Sequence, residues 1–405
     1  MDRVILHCDM NAFFASCELL ERPELKDVPM AVSGNPENRH GIILAKNDPA
    51  KKYGVVTAET IGQARKKCPD LVCVPPHHKK YAYYSREINK IYCRYTDMVE
   101  PFSIDESWLD VTASKRLFGD GKEIADEIRE TVKKELGLTL SAGVSFNKIF
   151  AKMGSEYKKP DATTVISRDN FRDLLWPLPA GELFTCGKKT SEKLGLAGIR
   201  TIGDLARSDI KLIMALLGEN GGQLHRYANG LDESPVAFSY ERSKIKSLGH
   251  GITFRRNLES EEDIRTGVKA LSDRVSARLR RHMMKAGGIK VEIKDPAFKV
   301  ISRQNQLQVP TDISEDIYKA ALSIIRENWN IKDPIRLITI TAINLKDDSE
   351  PMQLDFLSGQ DPSREKNQKI DQALDAIRSR YGDSSITFGN IIGNDLGIHI
   401  ETDDE

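Results

Sequence analysis

The sequence predicts an α+β fold divided among several domains, and three observations predict it. First, 405 residues at roughly 100–200 residues per domain make about two to four domains, each large enough for its own core. Second, apolar runs of strand length are mixed with segments whose apolar residues recur every three or four positions, the pattern of a sheet packed on helices. Third, charge is segregated along the chain. Basic and acidic residues cancel at 60 each, yet Tyr240 to Lys346 holds 21 basic against 13 acidic residues, and Asp347 to Glu405 holds 5 against 14. A basic module is followed by an acidic tail.

Composition excludes other classes. The chain is 40% hydrophobic and 30% charged, and no apolar run approaches the roughly 18 residues of a membrane span, so no membrane partner is expected. Asp2, Arg3, His7 and Asp9 interrupt the start of the chain, where a secretory signal would need an unbroken apolar stretch. The expected location is the cytoplasm. The six cysteines include no Cys-x-x-Cys pair and read as reduced thiols, forming neither a disulfide framework nor a zinc site.

Taken in order, Val4 to Cys8 reads as a strand, and Ala12 to Leu20 takes helical spacing through Phe13, Cys17 and Leu20. Asp9 is therefore expected where a strand gives way to a helix. Tyr81, Tyr84, Ile88, Ile91 and Tyr95 mark an amphipathic helix, as do Ile124, Ile128, Val132 and Leu136 before a terminating Gly137. Val99 to Ile104, Trp108 to Thr112 and Leu138 to Ser145 read as strands. From Phe184 to Ala206, two short helices flank a turn at Gly195 to Gly198. Asp232 to Ser247 is polar, contains Pro235 and lacks periodicity, so it reads as a linker. Beyond it, Ile289, Val291 and Ile293 alternate with Lys290, Glu292 and Lys294, while Ile264 to Met283, Ile317 to Ile325 and Asn367 to Tyr381 look helical.

The chemistry concentrates in acidic residues. Asp105 and Glu106 sit between two strand-like runs. Neighbouring side chains on a regular strand point to opposite faces, so both carboxylates reach one ion only at a bend. If the sheet brings Asp9 alongside, three anionic groups crowd together and call for divalent cations. Two magnesium ions roughly 3.5–4 Å apart suit an in-line phosphoryl displacement and hence nucleotidyl transfer. On its own, an Asp-Glu pair in a turn is usually only a solvated loop.

Four ordered motifs carry a resemblance over almost the whole chain: Asp9-Met10-Asn11-Ala12-Phe13-Phe14-Ala15-Ser16-Cys17-Glu18; Ser103-Ile104-Asp105-Glu106; Gly143-Val144-Ser145-Phe146-Asn147-Lys148 with Ala151-Lys152; and Lys159-Pro160. Together they resemble the Y-family (translesion) DNA polymerases, and more particularly the bacterial DNA polymerase IV branch. The resemblance implies that Asp9, Asp105 and Glu106, with the Met10 carbonyl, bind two Mg2+ ions. It implies a Lys159 that contacts the triphosphate, and a Phe14 that acts as steric gate beneath the deoxyribose. For Phe13, nucleotide contact and a place in the core both stand open. The partners implied are primer-template DNA and the incoming deoxynucleoside triphosphate, the enzyme acting as a monomer.

The implied architecture is a right-hand polymerase with a little finger domain. Palm residues are 1–10 and 78–165, fingers 11–77, and a thumb with helix-hairpin-helix 166–233. A linker over 234–243 leads to the little finger, 244–346, and the tail, 347–405. In the fingers this chain has Ala45, Asp48 and Lys51 where many members have Thr, Tyr and Arg, so a point charge replaces a planar fork at the triphosphate. Phe184-Thr185-Cys186-Gly187 replaces the thumb's usual pair of glycines. Arg274, Arg278, Arg281 and Lys285 lie at helical spacing and read as a solvated outer face, which leaves the exposed sheet face as the DNA surface. In the tail, Gln353-Leu354-Asp355-Phe356-Leu357 resembles the peptide that docks on the sliding clamp, through Gln353, Leu354, Phe356 and Leu357. The implied activity is low-fidelity, template-directed DNA synthesis without proofreading, in damage tolerance and repair. A palm-like nucleotidyl cyclase would need no basic module, and a non-catalytic DNA-binding protein would need no such carboxylates.

Overall fold

The structure is a computed structural model and describes residues 2–35, 41–241, 244–347 and 362–398. Two compact units divide the chain: Met1–Val32, Leu44–Thr57 and Ala64–Arg242 form the first, and Ser33–Ile43, Ala58–Gln63 and Ser243–Glu405 the second.

The strands that lie wholly or mostly in the first unit are β1 Ile5–Met10, β2 Met30–Ser33, β3 Ile43–Lys46, β4 Val72–Val74, β5 Val99–Pro101, β6 Glu106–Asp110, β7 Leu140–Ser145 and β8 Thr163–Ile166. Five of them form a sheet in the order β5-β6-β1-β7-β8, and a smaller sheet has the order β3-β2-β4. β1 pairs antiparallel with both β6 and β7, so this buried central strand divides its side chains between two covered faces. Leu6, Cys8 and Met10 join a core with Tyr81, Ile88, Ile91, Ile124 and Ile128, from helices His78–Tyr92 and Gly121–Leu136. On the opposite face Ile5 packs with Trp108 and Ala151. That face, which also carries His7 and Asp9, lies under helix Lys148–Tyr157.

The covering helix sits close because Gly143 of β7 has no side chain: a Cβ there would lie 1.8 Å from the Ala151 carbonyl oxygen. Its start is fixed by Asn147, whose side chain accepts from the Phe150 N–H. Helix Gly121–Leu136 is closed at one end by an Asp120–Glu123 capping box and at the other by Gly137 at φ 68°, a left-handed conformation that glycine adopts without strain. Helices Lys188–Leu196, Ile202–Arg207, Ile210–Leu217 and Glu219–Ala228 share a further core with Phe146, Phe150 and Phe171.

Two expectations change here. The strand expected to run to Ile104 stops at Pro101, because the Phe102 N–H donates to the Glu106 carbonyl and closes a turn. The stretch after Asp232 has neither helix nor strand up to Glu241, but its first part is strapped down. Val236 is buried, the Ala237 N–H donates to Glu100 at 2.9 Å, and the Ser239 N–H donates to the Asp97 carbonyl.

The second unit holds β9 Ser247–Leu258, β10 Met284–Lys294, β11 Val300–Thr311, β12 Ile335–Ile343 and β13 Lys346–Asp347. Four of them make an antiparallel sheet in the order β11-β10-β12-β9, with β13 pairing with β10. The alternation read from the sequence is realised: Ile289, Val291, Ile293, Ile338, Ile340 and Ala342 are buried, in one core with residues of helices Glu261–Arg281 and Ser314–Asn328. Lys290, Lys294, Ser302, Gln304, Thr339 and Thr341 occupy the opposite face by register. The arginine stripe is not simply a solvated face. Arg274 meets the His250 ring at 2.7 Å, and Arg278 donates to the Gly249 carbonyl, tying the helix to β9.

Part of the acidic tail belongs to this unit. Helix Pro362–Tyr381 sets Asp371 and Asp375 on Arg280 at 3.2 and 2.6 Å, and Arg378 on Asp273. Ile391, Leu396 and Ile398 join the core, and the Arg255 N–H donates to the Leu396 carbonyl at 2.7 Å. Gln353, Leu354, Phe356 and Leu357 lie outside the described residues. Among the described residues, no helix is long and apolar enough to cross a membrane.

Candidate active site

Sheet register gathers the acidic residues. Asp9 lies opposite Glu106 in the β1–β6 ladder, and the Met10 N–H donates to the Asp105 carbonyl at 3.1 Å. Asp9 is nearly the last residue of β1 and 3% exposed, so it stands inside the strand rather than beyond it. Asp105 sits in the turn before β6, its carboxylate accepting from Ser103 Oγ at 2.6 Å. The bend that the two adjacent carboxylates require is therefore present.

Each of the two strand carboxylates meets a lysine. Lys159 Nζ stands 2.8 Å from Asp9 Oδ2 and 3.0 Å from Glu156 Oε1. Lys152 Nζ stands 2.6 Å from Glu106 Oε2. His7, two residues before Asp9 and thus on the same face of β1, places Nε2 3.3 Å from the same Glu106 oxygen. Its other ring nitrogen is 2.8 Å from Ser155 Oγ, and that hydroxyl in turn donates to the Lys152 carbonyl.

These neighbours drive the two acids apart. Burial pushes Asp9 up to about 7, with Lys159 opposing and the Glu156 and Glu106 charges adding to the rise. Burial would also raise Glu106, but the nearby His7 ring and the Lys152 hydrogen bond overcome it and hold the carboxyl at about 2. One lysine thus leaves the Asp9 carboxylate short of positive charge, and the surrounding donors are hard oxygens of the kind magnesium takes. In kind, then, Asp9, Asp105, Glu106 and a Met10 carbonyl fit a divalent ion. Among the described residues, no three His, Cys, Asp or Glu side chains already converge as a ligand group.

The turn out of β1 sets the next two residues. Ala12 takes φ 46° and starts helix Phe13–Leu19. Phe13 is buried in the core with Leu6 and Tyr92. Phe14 is only half-buried, and its ring stacks on Tyr81 with centroids 4.1 Å apart. Lys51 is exposed on helix Asp48–Lys52, with Ala45 on β3 before it and Asp48 in the first helical turn. Asn47 fixes that helix: its side chain accepts from the Ala50 and Met30 N–H groups and donates to the Val28 and Leu25 carbonyls.

Sequence reasoning assigned no role to His7, Lys152, Glu156 or Asn47. The period of two along β1 was a signal for His7, since it shares the face of Asp9. For Lys152 and Glu156, the spacing along one helix needed the strand beneath it to become informative.

Known proteins are similar to this chain along most of its length. The impB/mucB/samB family matches residues 8–156, and that family's C-terminal domain matches residues 245–356. A DNA polymerase IV of Acetivibrio thermocellus is 44% identical over 399 residues, covering 98% of this chain and all of the relative. The DNA polymerase IV 1 of Bacillus subtilis is 38% identical over 96% of this chain and 92% of its own. Among solved structures, a Y-family DNA polymerase chimera shares the fold at a TM-score of 0.76 and 23% identity, over 85% of this chain and 99% of that one. Identity of this extent along nearly the full length of both chains means that the protein belongs to the impB/mucB/samB family, in the DNA polymerase IV branch of the Y-family.

Proposed function

We propose that this chain is a DNA-directed DNA polymerase of the translesion type, extending a primer 3′ end by nucleotidyl transfer on a DNA template. The observation that carries the reading is the β1–β6 register, which sets Asp9 against Glu106 with Asp105 in the adjoining turn. In this reading Asp9, Asp105, Glu106 and the Met10 carbonyl hold two Mg2+ ions. When bound, magnesium supplies Lewis-acid polarisation and neutralises charge on phosphoryl oxygens. Lys159, already drawn to the Asp9 carboxylate, has the compact charge and the position to accompany the triphosphate, and Lys51 can add a second ammonium group from the fingers. Phe14 lies beneath the deoxyribose as steric gate, with Phe13 behind it in the core.

The remaining parts of the reading concern DNA and location. The face of the second unit that carries Lys290 and Lys294 tracks the phosphate backbone without reading bases. Gln353, Leu354, Phe356 and Leu357 dock on the sliding clamp. The enzyme works as a monomer on the nucleoid, copies with low fidelity past damage, and does not proofread.

Primer extension with MgCl2 tests the site. Asp105→Ala should lower the extension rate by at least about a thousandfold, the scale of losing an electrostatic group at a phosphoryl centre. Primer-template affinity, measured by fluorescence anisotropy, should stay within about twofold, because phosphate contacts elsewhere supply it. Extension at the unsubstituted rate would overturn the assignment.

A further inference from the structure

The ring of Phe14 is held from behind. It lies face to face on Tyr81, centroids 4.1 Å apart and planes at 12°. The His78 ring meets both edge-on, 5.9 Å from Phe14 and 5.8 Å from Tyr81. Tyr81 has no exposed surface, and its hydroxyl donates to Glu18 Oε1 at 2.7 Å. Glu18 stands one turn after Phe14 on helix Phe13–Leu19, so a single short helix carries both the ring and the acceptor that anchors its neighbour.

Glu18 is itself fully buried. A lone carboxylate there would be prohibitively costly, but this one is surrounded by donors. His77 Nδ1 stands 2.9 Å away and Lys80 Nζ 3.1 Å away, with Lys80 also reaching Glu21 at 2.7 Å. Burial alone would push the Glu18 carboxyl up, and the Tyr81, His77 and Lys80 contacts together bring it below its usual range. It is therefore an ionised acceptor, and a hydrogen bond to an ionised acceptor is shorter, stronger and more directional than a neutral one. Tyr81 is pinned at both ends, its hydroxyl by Glu18 and its face by Phe14.

We propose that the Glu18–Tyr81 pair positions the gate: by clamping the Tyr81 ring it fixes the height of Phe14 and thereby sets how strictly the enzyme rejects a ribonucleotide. The proposal rests on the reading of Phe14 as the ring beneath the sugar. An apolar surface rejects an added hydroxyl only by occupying its space. A ring that can tip into a neighbouring gap ceases to exclude. Tyr81 and Glu18 are positioning residues, neither being assigned contact with the nucleotide.

Single-nucleotide insertion kinetics with deoxy- and ribonucleotides decide it, read as the ratio of the two kcat/KM values. Tyr81→Phe keeps the stacked ring and removes only the anchor, and should lower that ratio about tenfold, as should Glu18→Gln. Added to Phe14→Ala, Tyr81→Phe should lower it no further, because the ring it positions is gone. An unchanged ratio in Tyr81→Phe overturns the proposal, and so does an equal loss in the Phe14→Ala background, which would mark a merely structural effect. If Phe14→Ala alone still excludes ribonucleotides, the gate reading itself fails and the positioning role with it. Should Glu18→Gln fail to fold, as a thermal melt would reveal, Tyr81→Phe carries the decision.

Discussion

Arg256 spans two carboxylates in the second unit. It donates to both oxygens of Asp263 at 2.8 and 2.9 Å, and its Nε donates to Asp395 at 2.7 Å. Asp263 also accepts from the Glu259 N–H and sits in the first turn of helix Glu261–Arg281, where negative charge suits the helix dipole. The Arg256 hydrogen bonds hold its carboxyl at about 2, against an ordinary 3.8. Because the unfolded chain takes up the proton first on acidification, this group's contribution to stability is fully present above about pH 4 and is lost as the pH falls towards 2. Asp263→Asn should therefore destabilise the helix start by about 1–2 kcal/mol at neutral pH, with a difference from the unsubstituted protein that shrinks across that acid window. Amide exchange in the first turns of the helix reads this locally, and a gap independent of pH would refute the ion-pair account. Asp9 contrasts with it: Lys159, the lysine that pairs with it among the described residues, is shared with Glu156, and burial prevails there.

The contact between β7 and helix Lys148–Tyr157 is where an element's geometry governs the candidate site. Gly143 pairs with His7 across the ladder, and its missing side chain admits the helix that carries Lys152 and Ser155. Gly143→Ala would drive a Cβ into the Ala151 carbonyl, a backbone clash that no rotamer change relieves. It should cost about 3 kcal/mol, the upper end for overpacking, and move Lys152 away from Glu106, lowering both the thermal midpoint and the primer-extension rate. Normal values for both would show that the helix can stand off without consequence. Such a contact is invisible in a linear reading, where Gly143 is one small residue in a motif. Long periodic segments were legible: His78–Tyr92, Gly121–Leu136 and β10 follow the expected spacing closely. Short strands were not, since β2, β4 and β8 have three or four residues each and leave no room for a period to emerge. β11 escaped for another reason. It is polar along most of its length and exposed at one edge of the sheet, so its place comes from pairing with β10 rather than from its own pattern. At the candidate site, the acids came from the resemblance and from the bend they require. Their lysine and histidine neighbours needed the sheet register.

Across the whole chain, zero net charge hides a division that the fold partly cancels and partly preserves. Acidic residues of the tail pair with arginines of the basic module, Asp371 and Asp375 with Arg280 and Asp395 with Arg256. The excess counted from sequence is thus not all available to a polyanion. What the tail leaves is the face of the second sheet away from its two helices. There Lys290 and Lys294 flank Glu292, with Lys290 opposite Gln304 and Thr341 and Lys294 opposite Val300 and Leu337 in register, and the two ammonium groups are point charges that suit phosphate oxygens. Affinity from such a face is counterion release, so log Kd should vary linearly with log salt concentration, by about 0.9 per phosphate neutralised. Replacing both lysines with alanine should lower the slope by about two and weaken binding equally on unrelated primer-template sequences. Titrations of the full chain by fluorescence anisotropy at several salt concentrations measure both quantities. A slope that did not change would move the phosphate contacts to another surface. A loss confined to certain sequences would mean that the face reads bases, with Gln304 the side chain on it that can pair with an adenine edge.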